Sequence, residues 1–152
     1  MNTAMHFEDF AAGQKFQSGT ALVDTESIKR FAAEFDPQLF HLDEEAGRAS
    51  LFGGLVASGW HTAALTMKLI VGSELKIAGG SIGAGVEQIQ WPRPVRPGDM
   101  LHLVSEVLEA RPSKSRSDRG IVKIKTITLN QDDQPVMMMV SNLIVPRRPA
   151  GG

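Results

Sequence analysis

The sequence contains no cysteine. That excludes disulfides, thiolate nucleophiles and cysteine-bound zinc. Net charge is nearly absent, −1 at neutral pH, so no bulk electrostatic pull toward nucleic acid or a membrane surface is expected. No apolar run approaches the length of a membrane span. The first residues, MNTAMHFEDFAAG, lack a basic stretch followed by an apolar one. No secretory signal is expected there, and the cytoplasm is the expected compartment. What is present is ordinary globular composition: 152 residues, 42% hydrophobic and 22% charged. One domain over 1–152 is expected, with its core over about 7–146 and no need of a metal to hold it. The tails MNTAM and RRPAGG are expected to be loosely ordered.

The first half of the chain reads as helix. Residues 14–23 give a weak strand signal. DTESIKRFAAEF then begins with Asp24 or Thr25 as N-cap and places Glu26 in the first turn. Ile28, Phe31, Ala32 and Phe35 follow the i, i+3, i+4, i+7 pattern, which predicts one buried face. Pro37 ends this helix, because the residue before a proline is pushed away from helical torsions. Asp43 is placed to cap a short helix, EEAGRAS. Ser58 is placed to cap a longer one, about 59–74. That helix is apolar nearly all round and must be wrapped by other structure.

The second half changes period. Segments 83–91, 100–110, 120–130 and 136–146 read as strands, with turn signals at RPGD (96–99) and NQDDQ (130–134). RPSKSRSDRG, 111–120, reads as a longer polar loop. The four strands follow one another with no helix between them. The expected class is α+β, an antiparallel sheet curled around one helix.

The stretch FDPQLFHLDEEA carries the chemistry. Asp36 and His41 would face apart on a helix. With Pro37 breaking it, both can turn toward one point. A carboxylate and an imidazole that share a water make a general acid/base pair. The alternative is that Asp36 only turns the chain and His41 is a loop residue. Gly59 falls in the first turn of the long helix, where N–H groups lack intrahelical partners and partial positive charge collects. Such a site can stabilise a developing oxyanion. Alternatively, Gly53, Gly54 and Gly59 are turn and packing glycines.

FDPQLFHLDEEA…LFGGLVASGWHTAAL, followed by WPRPVRPGD, resembles the MaoC-like dehydratases, which include the R-specific enoyl-CoA hydratases. The resemblance runs from about Phe7 to Val145. It implies the hotdog fold and reversible hydration of a trans-2-enoyl-CoA to an (R)-3-hydroxyacyl-CoA. It places Asp36 and His41 at the family's acid and histidine, and Gly59 at the backbone N–H that holds the thioester oxygen. No cofactor or metal is implied, and a homodimer is. Where the family has asparagine and proline, this chain has Gln38 and Leu39, with Pro37 one residue after the acid.

Further candidates attach to that implied substrate. Gln38 retains an amide near the acid. Leu55, Trp60 and Trp91 are candidates to shape an acyl pocket, with Trp91 equally readable as a core aromatic. Arg116 stands in a basic cluster with Arg111, Lys114, Arg119, Lys123 and Lys125. The cluster either binds coenzyme A phosphates or is a solvated surface. His41, Asp43, Glu44 and Glu45 do not make a metal site, because no second histidine follows at helical spacing. His61 is expected to pack or to touch a partner subunit, and His102 to be structural. Met137, Met138 and Met139 alternate strand faces and are expected to fill core. Two rival functions are an acyl-CoA thioesterase, which would place a carboxylate on the long helix, and a non-catalytic acyl-CoA-binding subunit.

Overall fold

The computed structural model describes residues 3–150. Met5 pairs with Ile77 as an isolated bridge, and the Phe7–Asp9 turn follows. Strand β1 is Lys15–Gln17 and β2 is Ala21–Leu22. Helix α1, Thr25–Phe35, starts where the Asp24 carboxylate accepts from the Ser27 N–H. Two short helices follow, α2 (Leu39–Leu42) and α3 (Glu44–Ala49). Asp43 caps α3 through the Ala46 N–H. Helix α4, Gly59–Val71, is capped by Ser58 and stops at Gly72. Strands β3 (Ile82–Gln90), β4 (Met100–Pro112), β5 (Arg119–Leu129) and β6 (Pro135–Pro146) complete the chain.

All strand pairs are antiparallel, in the order β1-β4-β5-β6-β3, with β2 also on β4. Burial alternates along β4, β5 and β6, so each turns one face inward. Leu101, Leu103, Val107, Val122, Ile124, Met137 and Val145 meet Leu69 and Ile70 of α4 in one core. The sheet thus curls around one helix, as the pattern of the sequence predicts. Met137 and Met139 point inward and Met138 does not.

Five expectations need correction. The first strand is two short ones, divided around Gly19. The 111–120 loop is shorter than its polar composition suggests, because strand pairing continues to Pro112↔Gly120. Phe35 is 69% exposed; it packs on Phe31 at the end of α1 but extends past the core. Helix α4 is not wrapped on all sides. Trp60, Met67 and Val71 are between 47% and 59% exposed, since the chain's one sheet covers only one side of it. The tails are also more ordered than expected among the described residues. Met5 N–H donates to the Lys76 carbonyl, and Arg148 pairs with Asp9. Residues 1–2 and 151–152 of those tails lie outside the described residues. No described helix is long and apolar enough to cross a membrane.

Candidate active site

The break at Pro37 does what the chain needs at this point. Helix α1 ends with Asp36 out of helical torsions, and α2 begins three residues later, at Leu39. His41 is therefore on a short helix of its own, buried, and turned back toward the acid. Its Nε2 lies 3.2 Å from Asp36 Oδ2. Its Nδ1 is 2.7 Å from the Val56 carbonyl oxygen. A carbonyl only accepts, so Nδ1 carries the hydrogen. Nε2 is left facing the carboxylate. At that separation the two groups are within direct hydrogen-bond reach of each other, so one proton can be shared between them. Phe40 packs edge-on against the ring at 4.5 Å and holds its plane.

Asp36 is held from three sides. Ser58 Oγ donates to Oδ2 at 2.7 Å, and Gln38 Nε2 donates to Oδ1 at 2.6 Å. Partial burial alone would raise the Asp36 carboxyl. The hydrogen bonds from Ser58 and Gln38 and the adjacent His41 outweigh it and hold the group below the ordinary carboxylate value. Ser58 has two tasks, since its oxygen also accepts from the Trp60 N–H at 3.2 Å as the cap of α4. The acid is thereby joined to the start of the helix.

Gly59 is the first residue of α4. Among the described residues, no acceptor takes its N–H. Its carbonyl accepts from the Trp91 Nε1–H at 2.9 Å. The indole lies so close that a Cβ at Gly59 would come within 2.8 Å of it. Glycine is required here by that close approach. Trp60 packs edge-on against Trp91 at 5.3 Å.

These groups line one cleft of about 580 Å³. It brings together Asp36, Gln38, His41, Gly59, Trp60 and Trp91. Two of the sequence candidates are not brought to it. Leu55 turns into the core, with its backbone pressed on Gly47. Arg116 is on the β4–β5 hairpin, at the Pro112↔Gly120 end of the sheet, whereas Trp91 follows the Gln90↔Met138 end. Within one chain that is roughly 30 Å away. Three acids also balance part of its cluster. Arg116 and Arg119 pair with Asp118, Arg111 with Glu109, and Lys123 with Glu87.

Ser58 and Val56 were not singled out as site residues by the sequence. Ser58 could have been: a cap hydroxyl that accepts one N–H still has a proton to donate. The Val56 carbonyl had no signal, because any residue supplies one. His61 is buried and stacked on Phe31 at 4.8 Å, with its Nδ1 unpartnered. Burial, with Arg30 nearby, lowers its pKa and keeps it neutral. His102 pairs with Asp133 at 3.0 Å on the surface. No group of three or more metal-ligating side chains occurs among the described residues. Helix α4 carries no Asp or Glu, so the thioesterase arrangement lacks its carboxylate.

Comparison with known proteins identifies the family and the fold. The model of the MaoC-like domain family matches residues 9–130. A MaoC-like dehydratase from Rhodospirillum rubrum is 54% identical, with a TM-score of 0.93 over 96% of this chain and 99% of that one. The R-hydratase PhaJ1 from Pseudomonas aeruginosa is 25% identical, with a TM-score of 0.77 over 95% of this chain and 88% of that one. YdeM of Bacillus subtilis, an uncharacterized protein, is 35% identical across 94% of this chain and all of its own length. The chain belongs to the MaoC-like dehydratase family and has the hotdog fold.

Proposed function

We propose that this protein catalyses the reversible hydration of a trans-2-enoyl-CoA to an (R)-3-hydroxyacyl-CoA. The observation that carries this reading is the 3.2 Å approach of His41 Nε2 to Asp36 Oδ2, in one cleft with the free N–H end of α4. A water in the cleft, hydrogen-bonded to both side chains, gives up a proton as its oxygen attacks C3. Electron density moves onto the thioester oxygen, which accepts from the Gly59 N–H at the positive end of the helix. The pair returns a proton to C2. One water is consumed, one C–O and one C–H bond form, and no redox partner is needed. Gln38 takes the place of the family's asparagine and supports it, since its amide donates to Asp36 across the longer arm.

The same reading has the protein working as a cytoplasmic homodimer. Strand β3 is a sheet edge exposed along nearly its whole length, beside the bare flank of α4. Such an edge is ordinarily covered. Sedimentation at micromolar concentration is expected to show twice the 16.5 kDa chain mass. A single species of chain mass would count against the dimer.

An ultraviolet assay tests the reaction. Hydration removes the enoyl conjugation and leaves the thioester intact, whereas hydrolysis releases free CoA. A binding subunit does neither. Release of thiol without loss of the double bond would overturn the hydratase reading.

A further inference from the structure

We propose that Thr66, Thr128 and Met137 form the floor of the acyl pocket and restrict the protein to short enoyl chains. The proposal rests on the enoyl-CoA reading above and names its substrate class. The catalytic cleft reaches the inner face of α4 at Thr62. One turn deeper, Thr66 Oγ1 and Thr128 Oγ1 are 2.7 Å apart, and Thr66 Oγ1 lies 3.6 Å from the Met137 sulfur. All three side chains are fully buried. Beyond them is a second cavity of about 250 Å³, apolar in lining, with Ile70, Ser105, Ile124 and Met139 on its inner walls and an opening past Met67 and Val86 to the exposed β3 edge.

Register explains why the three residues separate the two spaces. Thr128 pairs with Leu103 and Met137, while Thr126 pairs with Ser105 and Met139. The Thr128–Met137 row is thus one inward step nearer the cleft than the row that lines the cavity. Along α4, Thr62, Thr66 and Ile70 share a face at successive i+4 steps. Thr62 lines the cleft, Ile70 lines the cavity, and Thr66 stands between them. A chain directed inward from Asp36 and His41 therefore meets a hydroxyl pair. Parting that pair strands two buried hydroxyls among apolar neighbours, which is unfavourable. The floor stays closed to an alkyl chain, and the cavity behind it is the room a longer chain would need.

Hydration rates on crotonyl-CoA and trans-2-decenoyl-CoA test this, together with calorimetric binding of butanoyl- and decanoyl-CoA, which needs no turnover. In the wild type, kcat/KM is expected to fall at least about tenfold from crotonyl to decenoyl. Thr66→Ala and Met137→Ala, confirmed as folded by thermal melting, are expected to raise the decenoyl-to-crotonyl ratio by roughly tenfold. If Met137→Ala does not fold, Thr66→Ala carries the comparison. Equal wild-type rates on both chains would overturn the proposal, as would an unchanged ratio in the folded variants. No hydration of any enoyl-CoA would sink the hydratase reading alone. The binding data would then decide the floor, with preference for butanoyl supporting it and equal binding overturning it.

Discussion

The two ends of α4 are built on opposite principles. At the N-terminal end, polar groups are dense and almost all serve two partners. Ser58 accepts from Trp60 and donates to Asp36, and His41 is held by Val56 and Asp36. At the C-terminal end, Ile70 and Leu75 face an apolar cavity with no charged residue in its wall. The difference follows from the helix itself. Its first N–H groups have no partners in the helix and attract negative charge. Nothing comparable draws an anionic intermediate to the far end.

Removing the charge at the polar end should have the largest effect. Asp36→Asn and His41→Ala are each expected to lower hydration by about 10²-fold or more. The double variant should lose little beyond either, because residues acting as one unit are not additive. Near-normal turnover in folded Asp36→Asn would remove the catalytic role of this end.

Gly59→Ala keeps the backbone N–H but puts a methyl where the thioester oxygen and the Trp91 indole approach it, and misplacing the reacting group in this way is expected to cost about 10²-fold. The added methyl cannot fit beside the Trp91 indole. Tryptophan emission should therefore shift along with the rate. An unchanged spectrum with an unchanged rate would show that the indole does not fix this end of the helix.

Ser58→Ala sharpens the comparison at smaller scale. Losing the cap should destabilise the protein by about 1 kcal/mol. Losing the donor to Asp36 should also lower the rate by roughly tenfold, less than the ~10²–10⁴-fold of a group that itself transfers the proton. Because that bond favours the charged carboxylate, its loss raises the Asp36 pKa and moves the acid limb of the rate profile upward in pH. A stability loss with no change in the profile would make Ser58 a cap only.

The smallest effect concerns His61, on the same helix but outside the proton path. Its folded pKa lies below the ordinary histidine value of 6.5. The unfolded chain therefore binds the proton more readily. Stability is full above the unfolded value and declines as pH falls from there toward the folded pKa. Melting temperature should drop across that window, and His61→Phe should flatten the drop. Equal slopes in both proteins would assign the loss to other groups.

Much of this architecture was legible along the chain. Alternation marked β4, β5 and β6, and Asp24, Asp43 and Ser58 marked three helix starts. Asp36, His41 and Gly59 were legible as candidates, since Pro37 frees the acid and the histidine to turn toward one point and the glycine falls in a first turn; the structure brings all three to one cleft. Arg116 and Leu55 were not legible, for different reasons. A basic cluster in sequence does not disclose the acids that fold beside it. An apolar residue near a glycine run reads alike whether it faces a cleft or a core. The uncovered flank of α4 was also hidden, since hydropathy says that a face must be covered and not by which chain.

The sequence by itself determined the alternation of the strands, the breaks and caps of the helices, and the order in which acid, histidine and glycine occur. Those depend on local torsional preference and on side-chain period, which act over a few residues. Only the tertiary structure decided that Ser58 reaches Asp36 across 22 positions, that Val56 fixes the His41 tautomer, and that Thr66 meets Thr128 across 62. These contacts join residues distant in the chain. They exist because the sheet curls around α4, and no period along the sequence records how far that curl brings two side chains together.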